Sequence, residues 1–376
     1  MRIRRGSVEL PGAIAHRLRM RFASTLFFLA MMSCLSAAEP VRLAVAGLKH
    51  GHVGWILGRE AKGDIELVGI AESDATLAKA HCKRFGLDEA LVYPDLEAML
   101  DATKPDAVVA FGSIDEHVNV VRACAPRGIH VMVEKPLAVS VSDAKEIEKL
   151  AGEHGIQVLT NYETTWYPTV DEAKKIVADG RIGTIRKMVA HDGHEGPKEI
   201  GCGPEFLGWL LGSEAQGGGA LIDFGCYGAN LMTWLMNGER PTSVVAVTQK
   251  LKTDPAYANV DDEATIVLEY PTAQGVIQAS WNWPYSRKDL EIYGRKGAVF
   301  ADDAKTLRVR VDGKSTSTDK ERESPFDDCF AYLAAVVRGE VDPADSPSSL
   351  PINVTVVEIL DAARRSAESG RAVKLQ

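Results

Sequence analysis

Short apolar runs alternate with longer amphipathic segments through the first half of the chain. The runs are rich in β-branched residues, as buried strands are, and the segments between them repeat apolar residues at helical spacing. The pattern predicts helices at 75–85, 115–126 and 140–154, and strands at 41–46, 65–71, 107–111, 129–133 and 157–161. Regular alternation of strand and helix predicts a doubly wound parallel sheet, which we assign to a first domain over residues 39–161.

The second half of the chain has a different pattern, in which short strands follow one another with turn residues between them. This spacing fits a meander within an α+β domain over residues 162–376. An apolar helix at 325–337 and a final helix at 353–369 are expected to pack back near the first domain. The predicted strands of this domain are 184–191, 243–251, 264–270, 276–282, 289–293, 298–301 and 307–311.

The first 38 residues have the pattern of a secretory signal peptide. Six arginines precede an apolar run at 26–32, and Ser36-Ala37-Ala38 supplies small residues at the cleavage positions. Met20 offers an alternative start with a shorter basic region. The run is too short for a stable membrane span. We therefore expect a mature chain that starts near Glu39 and is exported to the periplasm or beyond.

Composition narrows the possible partners. The chain of 376 residues is 45% hydrophobic and 25% charged, which is typical of a globular protein. Its net charge is −9, and the arginine-rich start makes the remainder more acidic still. An acidic surface argues against nucleic acid or an anionic membrane as a partner. The five cysteines after residue 38 are scattered, which predicts neither a disulfide framework nor a zinc site.

A glycine-rich turn at residues 47–54 follows the first strand. It departs from the G-x-G-x-x-G pattern, but a turn that follows a strand and opens a helix is the context in which a pyrophosphate binds. Lys49, His50 and His52 either hold phosphates or are exposed loop residues. The cofactor contacts predicted in this turn are Gly47, His50, Gly51, His52 and Val53.

The second strand ends at Glu72. An acid at this position accepts hydrogen bonds from the adenosine ribose hydroxyls and repels a 2′-phosphate. Because no arginine follows at once, NAD is favoured over NADP as the cofactor. The alternative role, capping the next helix, suits Ser73 or Asp74 better than Glu72.

Glu134-Lys135-Pro136 follows the strand at 129–133. Proline disfavours a helical conformation at the preceding residue, so Lys135 is held extended at the carboxyl edge of the sheet, where ligands bind. Hydride transfer from an alcohol needs a base for the hydroxyl proton, and Lys135 is the candidate. Burial beside the positive nicotinamide ring would favour its neutral form. The alternative is a solvated Glu-Lys pair before a turn.

With these motifs in place, the chain resembles the Gfo/Idh/MocA oxidoreductase family. Further similarities are Gly112-Ser113 with His117, Gly180 to Gly183, and the run from Gly217 to Tyr227. A tyrosine at 227 is similar to the glucose–fructose oxidoreductase and dihydrodiol dehydrogenase branch. The resemblance implies a Rossmann domain, then an open and mostly antiparallel sheet that covers the cleft on one face and pairs subunits on the other.

The resemblance also implies roles for individual residues. Lys135, Tyr227 and Asp223 are the predicted catalytic residues, with Asp223 orienting Tyr227 or the substrate from one turn earlier in the same helix. Their alternatives are a helix-capping Asp223 and a core Tyr227. The glycines at 217–219 would let the backbone approach the cofactor. Further predicted cofactor contacts are Ser113, His117, Glu134 and Lys135; predicted substrate contacts are Lys135, Tyr162, His194, Asp223 and Tyr227.

These features predict an exported NAD-dependent oxidoreductase that acts on a secondary hydroxyl of a sugar or polyol. His191 and His194 with nearby acids are weak metal candidates, and contacts to sugar hydroxyls suit them better, so no metal is predicted. Two alternatives stay open: an NAD-dependent glycosidase that oxidises its substrate transiently, and a non-catalytic nucleotide-binding scaffold.

Overall fold

The computed structural model describes residues 39–321, 326 and 328–375. The predicted signal peptide at residues 1–38 lies outside the described residues. Within those that are described, no helix has both the length and the apolar character that crossing a membrane requires.

Six parallel strands form the first sheet, in the order β3-β2-β1-β4-β5-β6. The order reverses between β1 and β4, so the carboxyl ends of these two strands open a crevice suited to a ligand. The strands are Val41–Ala46 (β1), Ile65–Ala71 (β2), Val92–Tyr93 (β3), Ala107–Ala110 (β4), His130–Glu134 (β5) and Val158–Asn161 (β6).

Five helices connect these strands. The predicted helix at 75–85 is found with both ends, because Asp74 accepts hydrogen bonds from the Thr76 and Leu77 amides and Gly86 ends it in a left-handed conformation. β3 and the helix after it were missed, since a two-residue strand has no periodicity to detect. The helices are Val53–Leu57 (α1), Ala75–Phe85 (α2), Leu96–Thr103 (α3), His117–Cys124 (α4) and Val141–His154 (α5).

The second sheet has nine strands in the order β14-β13-β12-β11-β7-β10-β9-β8-β15. The predicted meander is wrong at one point: β7 lies between β10 and β11, parallel to the former and antiparallel to the latter. The strands are Ile185–Gly193 (β7), Ser243–Gln249 (β8), Glu263–Glu269 (β9), Gln274–Ser280 (β10), Arg287–Gly294 (β11), Gly297–Ala301 (β12), Thr306–Val311 (β13), Lys314–Asp319 (β14) and Val373–Lys374 (β15).

Helices join the two sheets into one body. The helix at residues 225–235 (α9) is buried along its whole length against the second sheet. The helix at 329–337 (α10) contributes Phe330 and Leu333 to the core around β1, and the helix at 350–369 (α11) contacts α5, α9 and β8. The remaining helices are Pro168–Ala178 (α6), Pro204–Leu210 (α7), Ala220–Asp223 (α8), Gly225–Leu235 (α9), Cys329–Val337 (α10) and Leu350–Ser369 (α11).

Candidate functional site

Two cavities open at the carboxyl edge of the first sheet. The smaller, of about 300 Å³, lies over the ends of β1, β2 and β4, and Gly47, Glu72 and His117 line it. The larger, of about 600 Å³, is formed by both domains. Its lining includes His50, Gly51, His52, Lys135, Glu163, His194, Asp223, Tyr227, Arg287 and Lys288.

Gly47 lets the glycine-rich turn approach the end of β4. Its φ is 80°, in the left-handed region that glycine adopts without strain. A Cβ at Gly47 would lie 2.9 Å from the backbone nitrogen of Gly112. The position therefore excludes side chains on two grounds and keeps the smaller cavity open. Val53, a predicted cofactor contact, is instead buried in the core beneath the turn.

Glu72 supports the same turn. Its two carboxylate oxygens accept hydrogen bonds from the backbone amides of Leu48 and Asp74, each at 2.9 Å. The helix-capping role that was its alternative belongs to Asp74. Because a carboxylate offers about four lone-pair sites, Glu72 can still accept hydrogen bonds from a ribose.

His117 lines the smaller cavity and has a buried ring nitrogen that can accept a hydrogen bond. Its Nδ1 lies 3.2 Å from the Leu137 carbonyl oxygen, which can only accept, so Nδ1 carries the proton. Burial lowers the pKa of His117, so the ring is neutral and Nε2 keeps its lone pair. Nε2 has no partner among the described residues, and a ribose hydroxyl could supply one. Ser113, another predicted contact, lines neither cavity.

Glu134 lies beneath two histidines. The carboxylate contacts His52 Nδ1 at 3.1 Å and accepts a hydrogen bond from Asn161 Nδ2 at 2.8 Å. Burial alone would raise the pKa of Glu134, but the neighbouring imidazoles and hydrogen bonds outweigh it and bring the pKa to about 2. An ionised carboxylate therefore lies behind the histidines of the glycine-rich turn.

His50, His52 and Glu134 bring three ligand atoms within 4.8 Å of one another, which invites a test for a metal site. His50 Nδ1 accepts a hydrogen bond from the His52 backbone amide at 3.2 Å. Burial lowers the pKa of His50, so its neutral ring carries its proton on Nε2, the atom that faces Glu134. A metal needs a lone pair there. The three side chains therefore fit a set of hydrogen-bonding groups that line the cavity better than they fit a metal site.

Lys135 is paired with Asp223 at the base of the larger cavity. Its Nζ forms an ion pair with Asp223 Oδ1 and donates a hydrogen bond to the Asp223 carbonyl oxygen at 3.1 Å. Asp223 Oδ2 accepts a hydrogen bond from Trp281 Nε1 at 3.0 Å. Burial lowers the pKa of Lys135, but the Asp223 charge outweighs it and the pKa is raised. Asp223 therefore favours the ammonium form of Lys135 and opposes the neutral form that burial favours.

Tyr227 lines the cavity beside this pair. Its ring centre lies 5.3 Å from Lys135 Nζ, and burial raises the pKa of its hydroxyl well above the usual value, so the hydroxyl remains a donor. Two short helices, α8 and α9, carry Asp223 and Tyr227 instead of the single predicted helix. Asp223 contacts Lys135, and because it lines the cavity its other predicted role, orienting the substrate, stays a prediction.

The glycines at 217–219 pack closely against neighbouring protein groups. A Cβ at Gly219, whose φ is 101°, would lie 2.3 Å from Asp261 Oδ1. Asp261 also accepts a hydrogen bond from the Leu221 amide at 2.7 Å and so fixes the start of α8. This packing positions Asp223, and the close approach of this backbone to the cofactor stays a prediction.

Two predicted substrate contacts differ in their placement. His194 lines the larger cavity, and its Nδ1 accepts a hydrogen bond from the Gly196 amide at 2.8 Å, which leaves Nε2–H as the donor of the neutral ring. Tyr162 is fully buried and does not line the cavity. Its ring packs edge-on against Tyr227 at 5.5 Å, so it supports Tyr227 and is not a substrate contact in this structure.

No pattern in the sequence points to Lys288, the second lysine that lines the cavity. Lys288 Nζ lies 4.8 Å from the Tyr227 ring centre and forms an ion pair with Glu163. Glu163 also accepts a hydrogen bond from Tyr167 Oη at 2.6 Å. Lys288 reaches the cavity only because β11 pairs with β7, a long-range contact that local patterns do not encode.

Comparison with known proteins identifies the family. The model of the oxidoreductase family with an NAD-binding Rossmann fold matches residues 41–162, and the GFO/IDH/MocA C-terminal domain matches residues 170–300. The chain belongs to the GFO/IDH/MocA oxidoreductase family. The predictions of family, fold class, NAD as cofactor and oxidoreductase activity are therefore confirmed.

Curated relatives and solved structures agree with this assignment. The chain is 26% identical to trans-1,2-dihydrobenzene-1,2-diol dehydrogenase of Sus scrofa, over 67% of this chain and 70% of the relative. It is 27% identical to D-xylose 1-dehydrogenase (NADP(+)) 2 of Haloferax volcanii, over 82% and 92% respectively.

The fold is shared with two solved structures. An inositol dehydrogenase homologue from Azotobacter vinelandii, complexed with NAD⁺, matches with a TM-score of 0.77 at 20% identity, over 90% of this chain and 98% of that one. Aldose-aldose oxidoreductase from Caulobacter crescentus matches with a TM-score of 0.74 at 23% identity, over 89% and 100%.

Proposed function

We propose that this protein is an NAD-dependent oxidoreductase that acts on a secondary hydroxyl of a sugar or polyol, with Lys135 as general acid and base. The observation that carries the proposal is the buried Lys135–Asp223 pair, which lines the larger cavity beside the nucleotide-binding turn. The names of the curated relatives, a diol dehydrogenase and a xylose dehydrogenase, support the substrate class.

The residues around the smaller cavity fit NAD. Glu72 and His117 offer acceptors to ribose hydroxyls, and the ammonium group of Lys49, which lines the same cavity, offers a donor to phosphates. The carboxylate of Glu72 favours NAD over NADP because it would repel a 2′-phosphate. When bound, the nicotinamide supplies the hydride-transfer chemistry.

Lys135 transfers the proton of the reacting hydroxyl. Neutral Lys135 can accept that proton during oxidation, and the ammonium form can return it during reduction. Asp223 stabilises the ammonium form, so it sets the pH range over which each direction runs. Tyr227 offers its hydroxyl as a second donor to the same substrate oxygen, because burial keeps that hydroxyl protonated.

We also propose export and self-association. The signal-peptide pattern at 20–38 supports export to the periplasm or beyond. Val245, Val247 and Tyr293 are exposed on strands of the second sheet, at 42%, 62% and 36%. Exposed apolar side chains on a sheet face favour pairing with a second copy.

Cofactor identification and a substrate panel test the proposal. Nucleotide released from the denatured protein is identified by mass spectrometry, and sugars and polyols are screened at 340 nm. NAD-dependent turnover of a sugar or polyol that Lys135→Met abolishes supports the proposal. Turnover that survives this substitution removes Lys135 from the chemistry, and release of sugar from a glycoside with no net change in NADH indicates the glycosidase alternative.

A further inference from the structure

We infer that Lys288 and Glu163 form a second recognition point, which binds neighbouring hydroxyls of an uncharged polyhydroxylated substrate and selects against carboxylated ones. The inference rests on the proposed function and deepens it. It names the residues that would bind the part of the substrate that lies away from the reacting carbon.

The two lysines of the cavity lie around one aromatic ring. Lys135 Nζ and Lys288 Nζ lie 5.3 and 4.8 Å from the Tyr227 ring centre. Lys288 is the more accessible, with 21% of its side chain exposed against 7% for Lys135. A substrate whose reacting hydroxyl meets Lys135 can therefore reach Lys288 with a hydroxyl farther along its carbon chain or ring.

The second pair is held in place before any substrate binds. Glu163 forms an ion pair with Lys288 and accepts a hydrogen bond from Tyr167 Oη. Lys288 is fixed by the pairing of β11 with β7, where it lies opposite the buried Asp192. Preorganised groups lose little conformational freedom when a ligand binds, so they favour affinity and selectivity.

An ammonium and a carboxylate side by side suit neighbouring hydroxyls. The ammonium only donates hydrogen bonds and the carboxylate only accepts them, while each hydroxyl can do both. Two adjacent hydroxyls can therefore be bound by one donor and one acceptor without leaving either charged group unpartnered. Lys288 and Glu163 provide that combination.

The charge balance of the cavity opposes an anionic substrate. Each lysine or arginine of its lining has a carboxylate partner: Lys135 has Asp223, Lys288 has Glu163, and Arg287 has Asp289. Further lining acids are Glu205 and Asp303. A substrate carboxylate would have to displace one of the paired acids and face the others, and like charges brought together in a partly buried site disfavour binding.

Kinetics with paired substrates test the role of the second recognition point. Lys288→Met and Glu163→Gln are compared with Lys314→Met, a control at an exposed lysine on β14. The substrates are a hexitol, the aldonate of the same carbon skeleton, and a short vicinal diol. Losing one charge-assisted hydrogen bond should lower kcat/KM for the hexitol by about 10- to 100-fold, mainly through KM. The short diol should lose less, and the control should match the wild type.

Calorimetry separates this inference from the proposed function. Hexitol binding to the NAD-loaded wild type that weakens in Lys288→Met supports the inference even without turnover, whereas binding without turnover overturns the proposed function. Equal losses for the hexitol and the short diol, or preference of the wild type for the aldonate, overturn the inference. Melting curves by circular dichroism confirm that each variant is folded, and Glu163→Gln provides the test if Lys288→Met is not.

Discussion

Replacing Asp223 by asparagine should move the pH dependence of catalysis to lower pH. The carboxylate of Asp223 forms an ion pair with Lys135 and raises the pKa of that lysine. Asparagine keeps the size of the side chain and removes its charge. Burial lowers the pKa of Lys135, and in the variant the charge of Asp223 would no longer oppose this effect. The lysine would therefore lose its proton at lower pH.

The size of the change follows from the contact distance and burial. An opposite charge in direct contact typically moves a pKa by about 1–3 units, and each unit corresponds to about 1.36 kcal/mol between the two protonation states. Both side chains are 7% exposed, so solvent screens the pair little. The change should therefore lie within this range, with neutral Lys135 more abundant at neutral pH in Asp223→Asn.

The assay is oxidation of a polyol at saturating NAD across pH 6 to 11. In the wild type the rate should rise with pH as Lys135 becomes neutral, and in Asp223→Asn this rise should occur about one to three pH units lower. Trp281→Phe is the matched control, because it removes the hydrogen bond to Asp223 Oδ2 but keeps the charge. A rise that stays in place or moves to higher pH in Asp223→Asn would refute the reasoning.

Three further predictions concern the base, the cofactor and the turn. Lys135→Met should reduce turnover by about 10²- to 10⁴-fold with NAD affinity largely kept, as measured by calorimetry; near wild-type turnover would contradict it. Glu72→Gln should reduce the ratio of NAD affinity to NADP affinity. An unchanged ratio would argue against a contact between Glu72 and the ribose. Gly47→Ala should lower the free energy of unfolding by at least about 1–2 kcal/mol because of its left-handed φ. Gly51→Ala, where a Cβ would meet nothing within 4 Å, should change the melting temperature little.

Local patterns were sufficient for most of the fold. Both ends of the helix at 75–85 can be predicted from the sequence, because the capping residue and the terminal glycine lie next to the helix. The position of β7 between β10 and β11 was not predicted, because strand order depends on pairing between distant segments. β3 has two residues, too few to show a period.

The same distinction explains the candidate site. Lys135 was identified because a strand, its end and a proline are adjacent in sequence. Its partner Asp223 is 88 residues away, so the sign of the change in the pKa of Lys135 could not be read from the motif. Lys288 was missed for a related reason, since its place in the cavity depends on the inserted strand β7.

The acid–base role proposed for Lys135 depends on contact between the two domains. Lys135 lies at the end of a strand in the nucleotide-binding sheet, whereas Asp223, which sets its charge, lies on α8 of the second domain. The indole of Trp281 and the carboxylate of Asp261 hold Asp223 and its helix in place from that same domain. A displacement of the second domain that lengthened the ion pair would lower the pKa of Lys135 toward the value favoured by burial. Contact between the two domains therefore sets the protonation state of Lys135.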